Sequence, residues 1–320
     1  MSLVVSLMIA SAASGPWYER STCVDAAQAV MSVDFEGARA KLAKLDRGDV
    51  EDKACAVWTR AMLAETALAV GGRQPQLLEA RRKSLYAMFS FAKRYRKTPH
   101  LADLAIEARV RRVRVLLDDG ERKRALDETR GAVKMLERRE GANNATLDYT
   151  RGVVNMALSQ SGWGMRLLLQ VAGFSGDANL GRTSLERLAQ GKSVYWSDAQ
   201  YVRHFFTVES DAKDTNAAAM MKRLVDAFPD NPQLTYEYAT DLFVAGDCPA
   251  TLATVTNLNA RIDSDPGLWS NDMRAKLYWL GGRCAADVGQ RELAMRWAKR
   301  ADAQGSKMMS DRIEDLLDQL

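Results

Sequence analysis

Apolar residues recur at three- and four-residue spacing through nearly the whole chain, and turn-forming residues interrupt them at roughly 15- to 25-residue intervals. That is the period of amphipathic helices. Only 7 prolines occur in 320 residues, while Ala, Leu, Arg, Lys, Asp and Glu are plentiful. Such a mixture favours helix and is poor in the β-branched and aromatic runs that strands need. The pattern predicts an all-α protein.

A longer-range regularity lies on top of the helical one. An amphipathic run ends at a glycine, and a small residue follows five positions later: Gly120 with Ala125, Gly176 with Gly181, Gly246 with Thr251, Gly289 with Ala294. A glycine suits a helix C-terminus that must turn through a left-handed conformation, where a Cβ would clash. The small residue falls on the inner face of the returning helix, where a bulky side chain would hold the two helices apart.

This pattern resembles the tetratricopeptide repeat. "EYATDLFVAGDCPATLATVTNLNARIDSDP" (237–266) reads as one unit, with Thr251 in place of the usual alanine. "YWLGGRCAADVGQRELAMRWAKRA" (278–301) is closer, with Gly282, Gly289, Ala294 and Ala301 at the family spacing. "AAAMMKRLVDAFPDNP" (217–232) supplies a second helix, and "VDFEGARAKLAKL" (33–45) keeps Ala38 but has Val33 where the turn glycine belongs. "GFSGDANLG" (173–181) is also similar to a motif of the tetratricopeptide repeat protein 39 / inclusion-body clearance group and its bacterial relatives. The resemblance implies a right-handed α-solenoid of about seven irregular helical hairpins. It further implies a non-enzymatic scaffold or assembly factor that binds a protein or peptide on its concave face. Residues 17–140 would form degenerate basic repeats, continuous with closer-to-family repeats over 141–320.

Charge adds an asymmetry. The net +4 divides into +7 over residues 1–140 and −3 over 141–320, and residues 81–124 alone carry 14 basic against 5 acidic side chains. Arg109, Arg111 and Arg112 stand in that stretch and are candidate contacts for an acidic protein or an anionic membrane surface. "RRKSLYAMFSFAKRYRKTPH" (81–100) interleaves aromatics with cations, as nucleic-acid surfaces do, but a buried helix face with a solvated basic rim has the same spacing. A polyanion- or membrane-surface-binding role for 81–124 is the alternative to the scaffold reading. In "SVYWSDAQYVRHFF" (193–206), Tyr195, Trp196, Tyr201 and Phe205 are candidates for the inner groove, against the plainer reading of a thick helix wedged between neighbours.

Candidate chemistry reduces to structure. Gly173-Phe-Ser175-Gly176 has the spacing G-x-S-G rather than G-x-S-x-G, between helices rather than on a strand-to-helix elbow. It reads as a corner, with Asp177 or Ser175 capping the next helix. The phosphate-loop pattern fails because Glu186 stands where a glycine is required before Gly191-Lys192-Ser193. His100 and His204 have no second histidine or cysteine at ligand spacing. Glu51-Asp52 and Asp118-Asp119 fall at helix starts and turns. Neither an enzyme, a metal, a cofactor nor a small-molecule substrate is expected, and nucleic acid is not an expected partner.

The chain opens "MSLVVSLMIASAASGPW", where residues 1–13 form a candidate signal peptide with small residues at its end but no Lys or Arg ahead of the apolar run. Export to the periplasm or beyond is the expectation, with the cytoplasm as the alternative. Four cysteines allow three pairings. On the repeat register, Cys23 pairs with Cys55 and Cys248 with Cys284; in a cytosolic protein all four would be thiols.

Overall fold

The computed structural model describes residues 15–72, 74–160, 176–210, 215–264 and 269–320. The candidate signal peptide and the Gly173–Ser175 corner lie outside them. The described residues are helical, with no strand among them. A single 3-10 turn (Trp17–Glu19) precedes α1 (Ser21–Met31), α2 (Phe35–Leu45), α3 (Val50–Gly71) and α4 (Pro75–Arg94). There follow α5 (Pro99–Ala102), α6 (Leu104–Asp118), α7 (Arg122–Glu137), α8 (Ala145–Gln160) and α9 (Ala178–Ala189). The rest are α10 (Trp196–Ser210), α11 (Thr215–Ala227), α12 (Pro232–Val244), α13 (Cys248–Ser264), α14 (Asn271–Asp287), α15 (Arg291–Asp302) and α16 (Ser310–Gln319). From α11 to α16 each helix packs on the next, and α6–α7 and α8–α9 form further antiparallel pairs.

Four turns share one construction. Val33, Gly120, Gly246 and Gly289 each adopt a positive φ, between 61° and 80°. The N–H of the following residue reaches back five positions: Asp34 to the Ala29 carbonyl, Glu121 to Leu116, Asp247 to Leu242 and Gln290 to Ala285, at 2.8–3.0 Å. That bond closes a helix C-terminus by satisfying a carbonyl with no partner inside the helix. Five residues beyond each left-handed position sit Ala38, Ala125, Thr251 and Ala294, all buried. Val33 is the exception chemically, since a β-branched residue in this conformation costs about 1–2 kcal/mol that glycine avoids.

Gly176 and Gly181 act through space rather than rotation. A Cβ on Gly176 would come within 2.6 Å of the Ser159 backbone nitrogen, and one on Gly181 within 3.0 Å of that of Met156. These contacts let α8 and α9 approach closely. Asp177 caps α9, accepting hydrogen bonds from the N–H groups of Asn179 and Leu180.

The chain divides into two compact units. The first comprises the chain up to Val30, Asp34–Leu63 and Ala80–Ala199; the second comprises Met31–Val33, Ala64–Glu79 and Gln200–Leu320. These limits follow packing, whereas the division near residue 140 rests on charge and repeat pattern.

In the second unit, Val255, Leu258, Ile262, Trp269, Leu277, Tyr278, Trp297 and Ile313 form one core. Gly281 and Gly282 of α14 admit its neighbours closely. A Cβ on Gly281 would stand 3.0 Å from Val255, and one on Gly282 would stand 2.9 Å from Leu316.

Cys23 and Cys55 are joined, their Cα atoms 5.7 Å apart, linking α1 to α3. Cys248 and Cys284 differ from expectation, because both are buried free thiols. Burial pushes the Cys284 thiol up to about 12, and the neighbouring Cys248 adds to the effect. The repeat register places them side by side on adjacent hairpins, but adjacency alone does not make a bond.

Candidate functional site

Helix α6 organises the chemistry of the first unit, because its basic run divides between two faces. Leu104, Glu107, Arg111 and Val115 follow the apolar stripe at three- and four-residue spacing, and all are buried. A carboxylate in that stripe must find donors or pay heavily for desolvation. Glu107, at 0% exposure, finds three. The Trp58 indole N–H donates at 2.9 Å, the Tyr195 hydroxyl at 2.6 Å and Arg111 Nε at 2.8 Å. Arg111 also reaches Asp198 at 2.5 Å and lies over the Tyr149 ring at 5.2 Å. Thr146 Oγ1 is 3.0 Å from the Tyr195 hydroxyl. The Tyr195 ring stacks on Tyr149 and meets Trp17 and Trp58 edge-on.

Burial pushes the Glu107 carboxyl above its usual range, against the opposing pull of the Arg111 charge and the Tyr195 and Trp58 hydrogen bonds. Burial also pushes Tyr195 well up, reinforced by the Glu107 charge, so the phenol keeps its proton. This centre is closed to solvent. It ties α3, α6, α8 and α10 together.

The first residues of the described chain are built into the same core. Trp17 is buried, its backbone N–H donates to Glu51 at 2.9 Å, and the Tyr18 carbonyl accepts from Val194 N–H at 3.0 Å. Arg20 bridges Asp49 and Asp52 at 2.8 and 2.9 Å. His100 stands in the short helix α5, 2.7 Å from Glu51. Glu51 and Asp52 therefore hold this N-terminal segment as well as opening α3.

The outer face of α6 is different. Arg109 and Arg112 both lie over the Phe89 ring, at 5.1 and 5.9 Å, and share one carboxylate, Glu128, at 2.7 and 3.1 Å. Beside them α4, α6 and the start of α7 enclose a cavity of about 360 Å³. Leu85, Val115 and Leu116 form its floor and Tyr86, 67% exposed, one wall. Its rim carries Arg82, Lys83, Arg112 and Arg124 with Asp119 and Glu121. Arg82 pairs with Asp119 at 2.7 Å and Arg124 with Glu121. Asp118 pairs with the buried Arg81 at 3.1 Å.

Two of the expected partner-contact residues are therefore core residues. Tyr195 and Arg111 are committed to Glu107 and cannot meet a partner, because the apolar stripe of α6 carries that carboxylate inward. Arg109 and Arg112 remain at the surface, half-buried against Phe89. Trp196 is half-buried in the first unit; in the second, Tyr201 is half-buried and Phe205 is 49% exposed. The aromatic stretch 193–206 thus contributes to both units. His204, in the second unit, is buried 2.7 Å from Asp241, and nearby burial pushes the Glu237 carboxyl up.

Sequence reading missed Glu107, Trp58, Lys83 and Tyr86. A signal existed for the first: Glu107 is an acidic residue standing inside the apolar stripe of α6, between Leu104 and Ala108. For Tyr86 there was none, since aromatics in a helix usually face a core. Among the described residues, no group of three or more His, Cys, Asp or Glu side chains could hold a metal ion, and no helix is long and apolar enough to cross a membrane.

Neither a protein-family model nor a curated protein sequence matches this chain. What defines its class is its own geometry: an all-α protein of consecutive antiparallel helices, with repeated hairpin turns and an apolar, cation-rimmed surface cavity.

Proposed function

We propose that the chain is a non-enzymatic scaffold or assembly factor, a solenoid of irregular tetratricopeptide-like hairpins that binds another protein or peptide in a bacterial cell envelope. The observation that carries this reading is the shared turn at Val33, Gly120, Gly246 and Gly289, each followed five residues later by a buried small side chain. A chain that rebuilds one hairpin repeatedly is suited to presenting a long surface, because each repeat leans only on its neighbours. The apolar floor and cationic rim of the α4–α6–α7 cavity support a role in binding.

The Cys23–Cys55 bond supports an oxidising compartment, in keeping with the export expected from residues 1–13. Cross-linking in the native cells, followed by purification and mass spectrometry, tests the proposal. A defined protein partner is the expected product. Salt-sensitive retention on heparin with no protein cross-link would replace the scaffold by a polyanion-binding protein.

A further inference from the structure

We infer that Cys248 and Cys284 form a binding site for a soft monovalent cation, copper(I), held in line between the two sulfurs where α13 meets α14. The site lies within the second unit and is independent of the scaffold reading.

The fold brings the two thiols together. Consecutive helices alternate in direction, so the α12–α13 turn at Gly246 and the α14–α15 turn at Gly289 lie at one end of this unit. Cys248 opens α13 just after the first turn, and Cys284 stands five residues before the second glycine. Both belong to the seam between the two helices. A Cβ on Gly281 would stand 3.0 Å from Val255, which sets those positions opposite one another. Cys248 lies two helical turns before Val255 on the same face, and Cys284 about one turn beyond Gly281. The Cys284 thiol accordingly hydrogen-bonds to Cys248 and to the Thr251 hydroxyl. Cys284 and Thr251 have no exposure, whereas Cys248 keeps 7% at the mouth of the seam.

The chemistry of the pair selects its ligand. Disulfide exchange begins with a thiolate, and burial holds the Cys284 thiol protonated, up to about 12. The pair therefore stays as two thiols while Cys23 and Cys55 are bonded. Sulfur ligands favour copper(I), zinc and iron–sulfur clusters. Zinc and the clusters call for four ligands. Among the described residues, no third His, Cys, Asp or Glu joins these two in a group able to hold a metal. Copper(I), with a filled d shell, is satisfied by two thiolates in a line.

Binding balances without an oxidant. Two S–H bonds break, two Cu–S bonds form, and both protons leave to solvent, so the neutral site gains one net negative charge. Cys248 lies at a helix N-terminus, where the backbone dipole favours that charge. The Thr251 hydroxyl donates to the Asp247 carbonyl at 2.8 Å and is placed to turn its proton toward the Cys284 sulfur instead. The nearby carboxylates are engaged: Asp287 pairs with Arg283 at 3.4 Å, and Asp247 accepts the Ala250 N–H at 3.0 Å. The opening at Cys248 gives the ion its way in.

Titration of the full-length protein, its Cys23–Cys55 bond intact, with the coloured copper(I)–bicinchoninate complex tests this. The titration is run under nitrogen, with ascorbate keeping the metal reduced. The protein is expected to withdraw one copper(I) per chain. X-ray absorption of the loaded protein should show two sulfur neighbours and no nitrogen or oxygen. Losing an outer partner of a metal ligand weakens binding roughly 10–100-fold. Cys248→Ser and Cys284→Ser each remove a ligand itself and should weaken it by about 100-fold or more. Circular dichroism shows whether the variants fold, and X-ray absorption judges the site in the parent protein if they do not. No withdrawal of copper(I), uptake unchanged in Cys248→Ser/Cys284→Ser, or copper bound by nitrogen or oxygen overturns the inference. So does a Cys248–Cys284 disulfide in protein taken from its own cells. None of these outcomes touches the scaffold reading, which the cross-linking result decides.

Discussion

Replacing Tyr195 by phenylalanine removes one hydroxyl from the centre of the first unit and leaves its ring packing on Trp17, Trp58 and Tyr149 in place. What is lost is the 2.6 Å hydrogen bond to Glu107 and the 3.0 Å contact with Thr146. A hydrogen bond to a charged group contributes about 1.5–3 kcal/mol, and a buried acceptor stripped of its donor keeps the desolvation cost. Glu107 retains Trp58 and Arg111, so the expected loss lies in that same range at neutral pH. It corresponds to a fall in melting temperature of roughly 3–12 °C, taking about 2–4 °C per kcal/mol for a chain of this size.

The pH dependence carries a definite sign. The Tyr195 hydrogen bond favours ionised Glu107, so its removal raises a carboxyl that burial has already raised. A carboxyl raised in the folded state contributes stability that is full below its unfolded value and is lost as pH climbs through the folded one. The cost of Tyr195→Phe should therefore be smallest in acid, where Glu107 is protonated in both proteins, and should grow toward neutral pH. Urea titrations from pH 4 to 8, followed by tryptophan fluorescence and circular dichroism, measure it. A loss below about 0.5 kcal/mol, the level of an ordinary surface substitution, would refute the buried charged centre. A loss that shrinks as pH rises would refute its electrostatics.

Ala294→Leu should destabilise by about 1–3 kcal/mol through overpacking, because Ala294 is fully buried and its carbonyl oxygen stands 3.4 Å from where a Cβ on Gly282 would be; an undiminished urea midpoint would contradict the hairpin register. Under denaturing, non-reducing conditions, alkylation and mass spectrometry should label Cys248 and Cys284 alone, and all four cysteines after reduction. Reduction of Cys23–Cys55, which spans 32 residues, should cost about 3–4 kcal/mol in the chain-entropy model; four labelled thiols in native protein would remove both the bond and its support for export. Arg111→Glu places a carboxylate against Glu107 and Asp198 and should abolish soluble expression, whereas Arg124→Glu on the exposed rim should shift stability by no more than about 0.5 kcal/mol. Equal behaviour of the two variants would dissolve the division of α6 into inner and outer faces.

That division marks where sequence reading ends. The all-α class, the turns at Gly120, Gly246 and Gly289, the unusual role of Val33 and the cap at Asp177 were legible because each depends on residues within about one turn of itself. Helical periodicity, left-handed closure and capping are local physics, and a single stretch of chain contains their causes. The fates of Arg109, Arg111 and Arg112 are not local. Successive helix positions point in different directions, but which direction becomes interior depends on what packs there. Arg111 turned inward because Trp58, 49 positions before Glu107, and Tyr195, 88 positions after it, meet on that carboxylate. Tyr195 was claimed by the core for the same reason, and Tyr86 was left exposed because α4 and α6 meet below it on Leu85, Val115 and Leu116 rather than around it. Local turns were written in short stretches of residues; the choice of which charges to bury was made only when distant helices came together.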